Sequence, residues 1–311
     1  MSEMRPARIL HEVCDIVERE LDRPMRISDQ SYFANMLNSI EELDKRHFVQ
    51  NYVSDLLRML LLGVIDQARC MALAVDTPGI AVTPFILIRT LIEYSYKITY
   101  ISDPLIEPKE RIRRVLDLWY LDSTSYEKLP KDLQLVMKWQ SQRPKKDVED
   151  WYRQLTGKGL AKKTAEFILD AVWKAGLETS QKNNEVTNEI YEQVYRVGSA
   201  FQHGNSWAIQ HYCLGKPTGR NDAMTLHSQS IMVFYFLRMA GVLLQASCGS
   251  VVQFQSMLPV NVMNEIGEKI AELEKMRGII LTVEAWEEKI REVEEIREEI
   301  LRRKKAQSTQ D

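Results

Sequence analysis

The sequence predicts an all-α protein: a helical bundle core with an N-terminal helical extension and C-terminal amphipathic, coiled-coil-like helices. Three observations predict it. Apolar residues recur at steps of three and four through most of the chain, the period of a helix with one buried face. No stretch of useful length alternates apolar and polar residues, as a half-buried strand would. Prolines and glycine-bearing turns fall between these periodic segments or at their first turns, where a helix tolerates them. With 311 residues, 45% of them hydrophobic and 27% charged, the chain is long enough for one large helical domain and is balanced like an ordinary globular protein.

Residues 6–21 set Leu10, Val13, Ile16, Val17 and Leu21 on one stripe, and Pro24 ends the segment. Residues 27–46 repeat the pattern with Ile27, Phe33, Met36, Leu37, Ile40 and Leu43. Together, residues 1–46 read as the extension. The bundle core is expected over 47–250. Its first helix, 48–75, keeps Asp55, Arg58, Asp66 and Arg69 roughly to one face. The run Asp76-Thr-Pro-Gly79 is a turn, and Pro84 opens the next helix, 84–101. Ser102-Asp-Pro104 stops it, and Pro108 falls in the first turn of the helix 107–129. Residues 130–180 are more polar and are broken by Pro130, Pro144, Gly157, Gly159 and Gly176. They read as an insertion of short helices at 131–142, 147–155 and 161–174. A helix at 183–202 runs into a turn at 203–206, and residues 216–222 are a loop. Residues 223–248 form the most apolar helix, the expected centre of the bundle.

After Pro259 the composition shifts to Glu, Lys and Arg, and 260–305 read as an amphipathic helix pair. Trp286, Ile290, Val293, Ile296 and Ile300 step by three or four along a short coiled-coil-like seam. Basic residues 302–305 suit a helix C-terminus, and residues 306–311 are expected to be a disordered tail. The apolar stretches Tyr52–Val75 and Ile231–Cys248 both carry charge, so they read as buried helices rather than membrane spans.

The net charge of -3 leaves no global positive field to attract nucleic acid, so an RNA site must be a local patch. Cys14, Cys70, Cys213 and Cys248 are far apart and form no CxxC pair, which argues against a zinc ribbon or a disulfide framework. Charges run through the N-terminal segment, so no signal peptide is expected and the protein reads as cytoplasmic. No P-loop, GxGxxG or GxSxG is present, and no cofactor is expected.

The chemistry concentrates between Asn188 and Tyr212. Arg196, Ser199, Gln202, His203 and Asn205 lie there across a helix end and a turn. A guanidinium can hold a phosphate as a fixed charge, and an imidazole titrates near neutrality and can move a proton. Arg196 and His203 are therefore the candidate catalytic pair for attack of an RNA 2′-hydroxyl on its neighbouring phosphate. Ser199, Gln202 and Asn205 are candidates to orient the substrate or the imidazole. The alternative is a turn histidine bonded to backbone. The Arg-to-His spacing recurs at Arg5–His11 and Arg220–His227, so spacing alone does not select the pair. Arg220, followed by Asn221, and His227 lead from a loop into the apolar helix and compete for the same role. Arg89 and Glu93, four apart on one helix face, read as an intrahelical ion pair, with the alternative that Glu93 orients His203 or neutralises Arg196. His203, His211, Cys213 and His227 match no common zinc spacing, so no metal site is expected. The aromatic group Tyr94, Tyr96, Tyr100, Trp119 and Tyr120 reads as core rather than as a base-stacking platform.

Two motifs carry a resemblance. Arg89-Thr-Leu-Ile-Glu93 is followed by Tyr100-Ile-Ser-Asp-Pro104 and an Arg-rich helix, and later by Tyr195-Arg196-Val-Gly-Ser199-Ala-Phe-Gln-His203-Gly204. In this order they resemble an uncharacterised bacterial helical family, of the domain of unknown function 5677 type, over roughly 47–248. That family pairs an Arg-x-x-x-Glu helix with a later Tyr-Arg…Ser…His-Gly turn. The Arg…His element is also similar to that of the HEPN superfamily, helical bundles common in toxin–antitoxin and phage-defence systems. The resemblance implies a HEPN-like, homodimeric, metal-independent endoribonuclease or RNA-binding protein, with an antitoxin or defence partner. Arg196 would bind phosphate and His203 would transfer the proton. HEPN nucleases usually carry a polar residue after the arginine. Val197 stands there in this chain, and Arg220-Asn221 has that detail instead. A reading of a different class is a non-catalytic helical sensor or scaffold whose polar turn binds a small ligand or is structural.

Overall fold

The structure is a computed structural model, and it describes residues 6–21, 27–77, 82–136, 144–160, 168–176, 188–203, 230–255 and 260–280. It is all-helical among these residues. The helices are α1 (Pro6–Leu21), α2 (Tyr32–Asn38), α3 (Leu43–Asp76), α4 (Thr83–Ser102), α5 (Pro108–Glu127), α6 (Lys131–Val136), α7 (Lys145–Thr156), α8 (Asn188–Gln202), α9 (Ser230–Gln255) and α10 (Val260–Ile280). Residues 168–176 are also helical. The chain divides into two compact units, Met1–Ile270 and Ala271–Asp311. The first contains the hydrophobic core. The expected seam Trp286–Ile300, the basic run 302–305 and the tail lie outside the described residues. No described helix is long and apolar enough to cross a membrane.

Several helix ends have a local cause. Pro84 and Pro108 occupy the first turns of α4 and α5, where a missing N–H costs nothing. The Ser31 hydroxyl accepts the Ala34 N–H at 3.0 Å and caps α2. Gly157 ends α7 at φ 68°, a left-handed cap that only glycine adopts without strain. The α4 C-terminus meets a buried cation. Arg111, 1% exposed, donates through Nε to the Ile101 carbonyl at 3.0 Å and through Nη2 to the Asp103 carbonyl. A guanidinium there offsets both the unpaired carbonyls and the helix dipole.

The helix expected over 27–46 is shorter than its apolar period. Tyr32–Asn38 form one helix and residues 43–46 already belong to α3; between them Ser39 and Ile40 tighten onto the Asn35, Met36 and Leu37 carbonyls. Arg46 reaches back to the Ile40 carbonyl at 2.7 Å. Ile40 is buried without being helical, so the period runs on through a break in the backbone. The next helix accordingly starts at Leu43 rather than at residue 48.

α3 packs along α4 and α1, and α9 packs on α4, α3 and α1. α4 also carries α8 and α5, so it shares the centre with the apolar helix α9. α1 contributes Val13, Cys14 and Val17 to the same core. Polar ties cross that core as well. The Ser247 hydroxyl donates to Ser95 Oγ at 2.9 Å, joining α9 to α4. Tyr52 Oη donates to Asp122 Oδ2 at 2.7 Å, joining α3 to α5. Tyr96, Tyr100 and Trp119 are buried, with Tyr94 and Tyr120 packed against the core.

Candidate functional site

The site is built on one helix crossing, α8 over α4. Val197, Ala200 and Phe201 form the buried stripe of α8. The Phe201 ring lies 4.3 Å from that of Phe85, which meets Phe236 of α9 edge-on at 4.6 Å. The Phe201–Phe85 contact seats α8 on α4, at a ring that α9 also meets. At the crossing stands Gly198. A Cβ there would lie 2.4 Å from the Phe85 carbonyl oxygen and 3.0 Å from Arg89 Cβ. The missing side chain lets the two backbones approach closely, and this brings Arg89 against α8.

Arg89 then uses all three guanidinium nitrogens. Nε donates to Glu93 Oε1 at 3.0 Å, the intrahelical pair that a spacing of four allows. Nη1 donates to Ser199 Oγ at 3.2 Å and to Gln202 Oε1. Nη2 points at Tyr195 Oη, 3.4 Å away. Tyr195 in turn donates its hydroxyl to Glu93 Oε1 at 3.1 Å, so one carboxylate oxygen receives both the arginine and the phenol. Burial and the Glu93 charge raise the Tyr195 phenol above its ordinary pKa, against the opposing pull of Arg89. The phenol is therefore a donor at neutral pH.

The same tyrosine ring lies under the guanidinium carbon of Arg89 at 5.0 Å. Beyond it, the Trp173 ring is 4.1 Å from Tyr195 and 4.9 Å from Tyr96. A column Arg89–Tyr195–Trp173–Tyr96 thus ties the helical residues 168–176 to α4 and α8. Tyr96, expected only as core, belongs to it.

Arg196 and His203 lie on the strip of α8 next to this lattice. Seven residues at about 100° each bring them back to nearly the same face, about 10 Å apart along the axis. Both are exposed. The His203 N–H continues the helical pattern by donating to the Ser199 carbonyl at 3.0 Å. Ser199 lies between the two strips, half-buried, and Gln202 is exposed.

The structure therefore brings Arg89, Glu93, Ser199 and Gln202 into one hydrogen-bonded group and sets Arg196 and His203 beside it. Glu93 bonds Arg89 and Tyr195. Asn205, Arg220, Asn221 and His227 lie outside the described residues, as do His211 and Cys213 of the considered metal set. Among the described residues, no three metal-ligating side chains cluster. Two contributors went unrecognised as site residues in the sequence, Tyr195 and Gly198. Their signal was present: a tyrosine and a glycine three apart on an otherwise amphipathic helix, one turn before Ser199 and Gln202. Compared with protein-family models, with characterised proteins and with solved structures, the chain matches none.

Proposed function

We propose that this protein is a HEPN-like, RNA-directed protein that cleaves or binds RNA through Arg196 and His203 on the exposed strip of α8. The observation that carries this reading is their placement. Arg196 lies on α8 and His203 directly after its last residue, still in the helical hydrogen-bond pattern, and both are exposed. Arg89 and Glu93 are occupied in holding α8. In cleavage, the His203 imidazole takes the proton of a ribose 2′-hydroxyl, and that oxygen attacks the adjacent phosphorus. The P–O5′ bond breaks and the 5′-oxygen takes a proton from water, giving a 2′,3′-cyclic phosphate and a 5′-hydroxyl, while the imidazolium returns its proton to the hydroxide so formed. Arg196 offsets the charge that builds on the phosphoryl oxygens. No metal ion takes part in this scheme. The protein would act as a homodimer in the bacterial cytoplasm, within a defence or stress system that includes an antitoxin or defence partner.

A second reading is favoured by the Arg89 lattice, whose hydrogen bonds all close within one chain. It makes α8 part of a non-catalytic helical sensor or scaffold. One experiment separates the two. Wild type, His203→Ala and Arg196→Ala are incubated with mixed cellular RNA in excess EDTA. The nuclease reading expects cyclic-phosphate ends from wild type and a loss of about 100-fold or more in His203→Ala, the usual size of a general-base contribution. Intact RNA and no RNA binding by a folded wild type would leave the scaffold reading.

A further inference from the structure

Arg89 does more than hold α8: it decides which end of the Gln202 amide faces outward. A guanidinium has only donors, so the group against it must be the amide oxygen. Nη1 donates to Gln202 Oε1 and to Ser199 Oγ. Turning the amide over would press its NH2 group against a cation and forfeit that bond. The oxygen is thus committed, and the Nε2 donors are presented from an exposed residue adjacent to His203 in the last turn of α8. Arg196 lies about two turns back on the neighbouring strip.

We propose that Gln202 is a substrate-binding residue whose amide nitrogen, oriented by Arg89, donates to a phosphodiester oxygen of RNA beside His203. The inference rests on the RNA reading of α8 given above. It assigns the three polar groups of this turn distinct parts. Arg196 supplies charge, His203 supplies the titrating nitrogen, and Gln202 supplies a neutral directed donor that fixes the phosphate against the imidazole. Arg89 is a positioning residue and does not touch the substrate.

The test uses substitutions that part the two ends of the amide. Gln202→Glu keeps an oxygen for Arg89 and replaces the outward NH2 with a second oxygen. Gln202→Met removes both ends and adds no charge. Binding of a fluorescein-labelled 2′-O-methyl oligoribonucleotide, which cannot be cleaved, is read by anisotropy in EDTA, with thermal melting alongside. We expect both variants to bind about tenfold more weakly, the effect of one lost hydrogen bond to a charged group. Gln202→Glu should melt no lower than wild type, because its contact with Arg89 gains charge.

Binding by Gln202→Met within twofold of wild type would overturn the proposal, since any loss in Gln202→Glu would then be charge repulsion alone. A purely structural role for Gln202 would show as the reverse pattern, Gln202→Glu binding normally. Arg196→Ala is measured in parallel. Weak binding by Arg196→Ala with normal binding by both Gln202 variants would sink only the role of Gln202. Normal binding by Arg196→Ala would sink the RNA reading, and this proposal with it.

Discussion

The guanidinium of Arg89 on α4 hydrogen-bonds the side-chain amide of Gln202 at the end of α8, 113 residues away in the chain. That bond, with those to Ser199, Tyr195 and Glu93, makes Arg89 the joint of the α4–α8 crossing. A lysine would keep the charge but has one nitrogen on a flexible stem, so it cannot serve three directions at once. Arg89→Lys is expected to cost about 2 kcal/mol of stability, the worth of one to two hydrogen bonds to a charged group. Urea denaturation of the full chain checks this. A midpoint unchanged from wild type would mean that the lattice contributes nothing net.

Gly198 offers an independent probe of the same crossing. Replacing glycine by alanine inside a helix ordinarily gains about 1 kcal/mol. Here the new methyl would meet the Phe85 carbonyl oxygen at 2.4 Å, and a backbone atom within a helix cannot move aside cheaply. Overpacking of that kind costs about 1–3 kcal/mol, so the sign reverses. Gly198→Ala should melt below wild type. A higher melting temperature would show that the helices separate without cost.

Asp122 gives stability a dependence on pH. Burial raises its carboxyl above the ordinary value of 3.8, and the opposing effects of the Tyr52 hydrogen bond and the Lys97 charge are smaller. The folded protein therefore holds this proton to higher pH than the unfolded chain does. Its contribution to stability falls as pH rises from 3.8 through the raised value. Asp122→Asn still accepts the Tyr52 hydrogen bond through its amide oxygen and has no proton to lose. Its stability relative to wild type should rise between pH 4 and pH 7. Urea midpoints at the two values, moving in parallel for both proteins, would rule this out.

Burial makes Cys14 inert. Its thiol is fully buried, faces the Ile65 carbonyl at 3.7 Å and is pushed up to about 12 by desolvation. Cys248 is buried likewise and raised further by the same cause. Thiolate is the reactive form, so neither residue should be labelled by iodoacetamide at pH 8 while the protein is folded. Both should be labelled in 8 M urea. Mass-spectrometric mapping decides it, and native labelling of Cys14 at the rate of a free thiol would contradict the packing of α1.

The helical class was legible in the residues because it depends on local order. The three-and-four spacing of Val13, Ile16 and Val17, or of Ile88, Leu91 and Ile92, states both a helix and its buried face. Pro84 and Pro108 likewise mark where α4 and α5 begin. Arg89 and Glu93 are four apart, so their ion pair needs no tertiary information. Periodicity was weaker at boundaries. Ile40 continues an apolar pattern through a turn, because burial, which the pattern reports, does not require helical backbone.

The tertiary structure alone decided where the remaining donors of Arg89 go. Tyr195, Ser199 and Gln202 lie 106 to 113 residues further along the chain, and nothing local ties them to Arg89. Their meeting depends on how closely α8 crosses α4. That distance is set by the absent side chain of Gly198 and by the rings of Phe85, Phe201 and Phe236 packed beside it. Sequence by itself determined that a helix would carry Tyr195, Arg196, Ser199 and Gln202 and run into a turn at His203. Packing determined which of them turn inward to Arg89 and which face solvent, because a helix has one period but many possible neighbours.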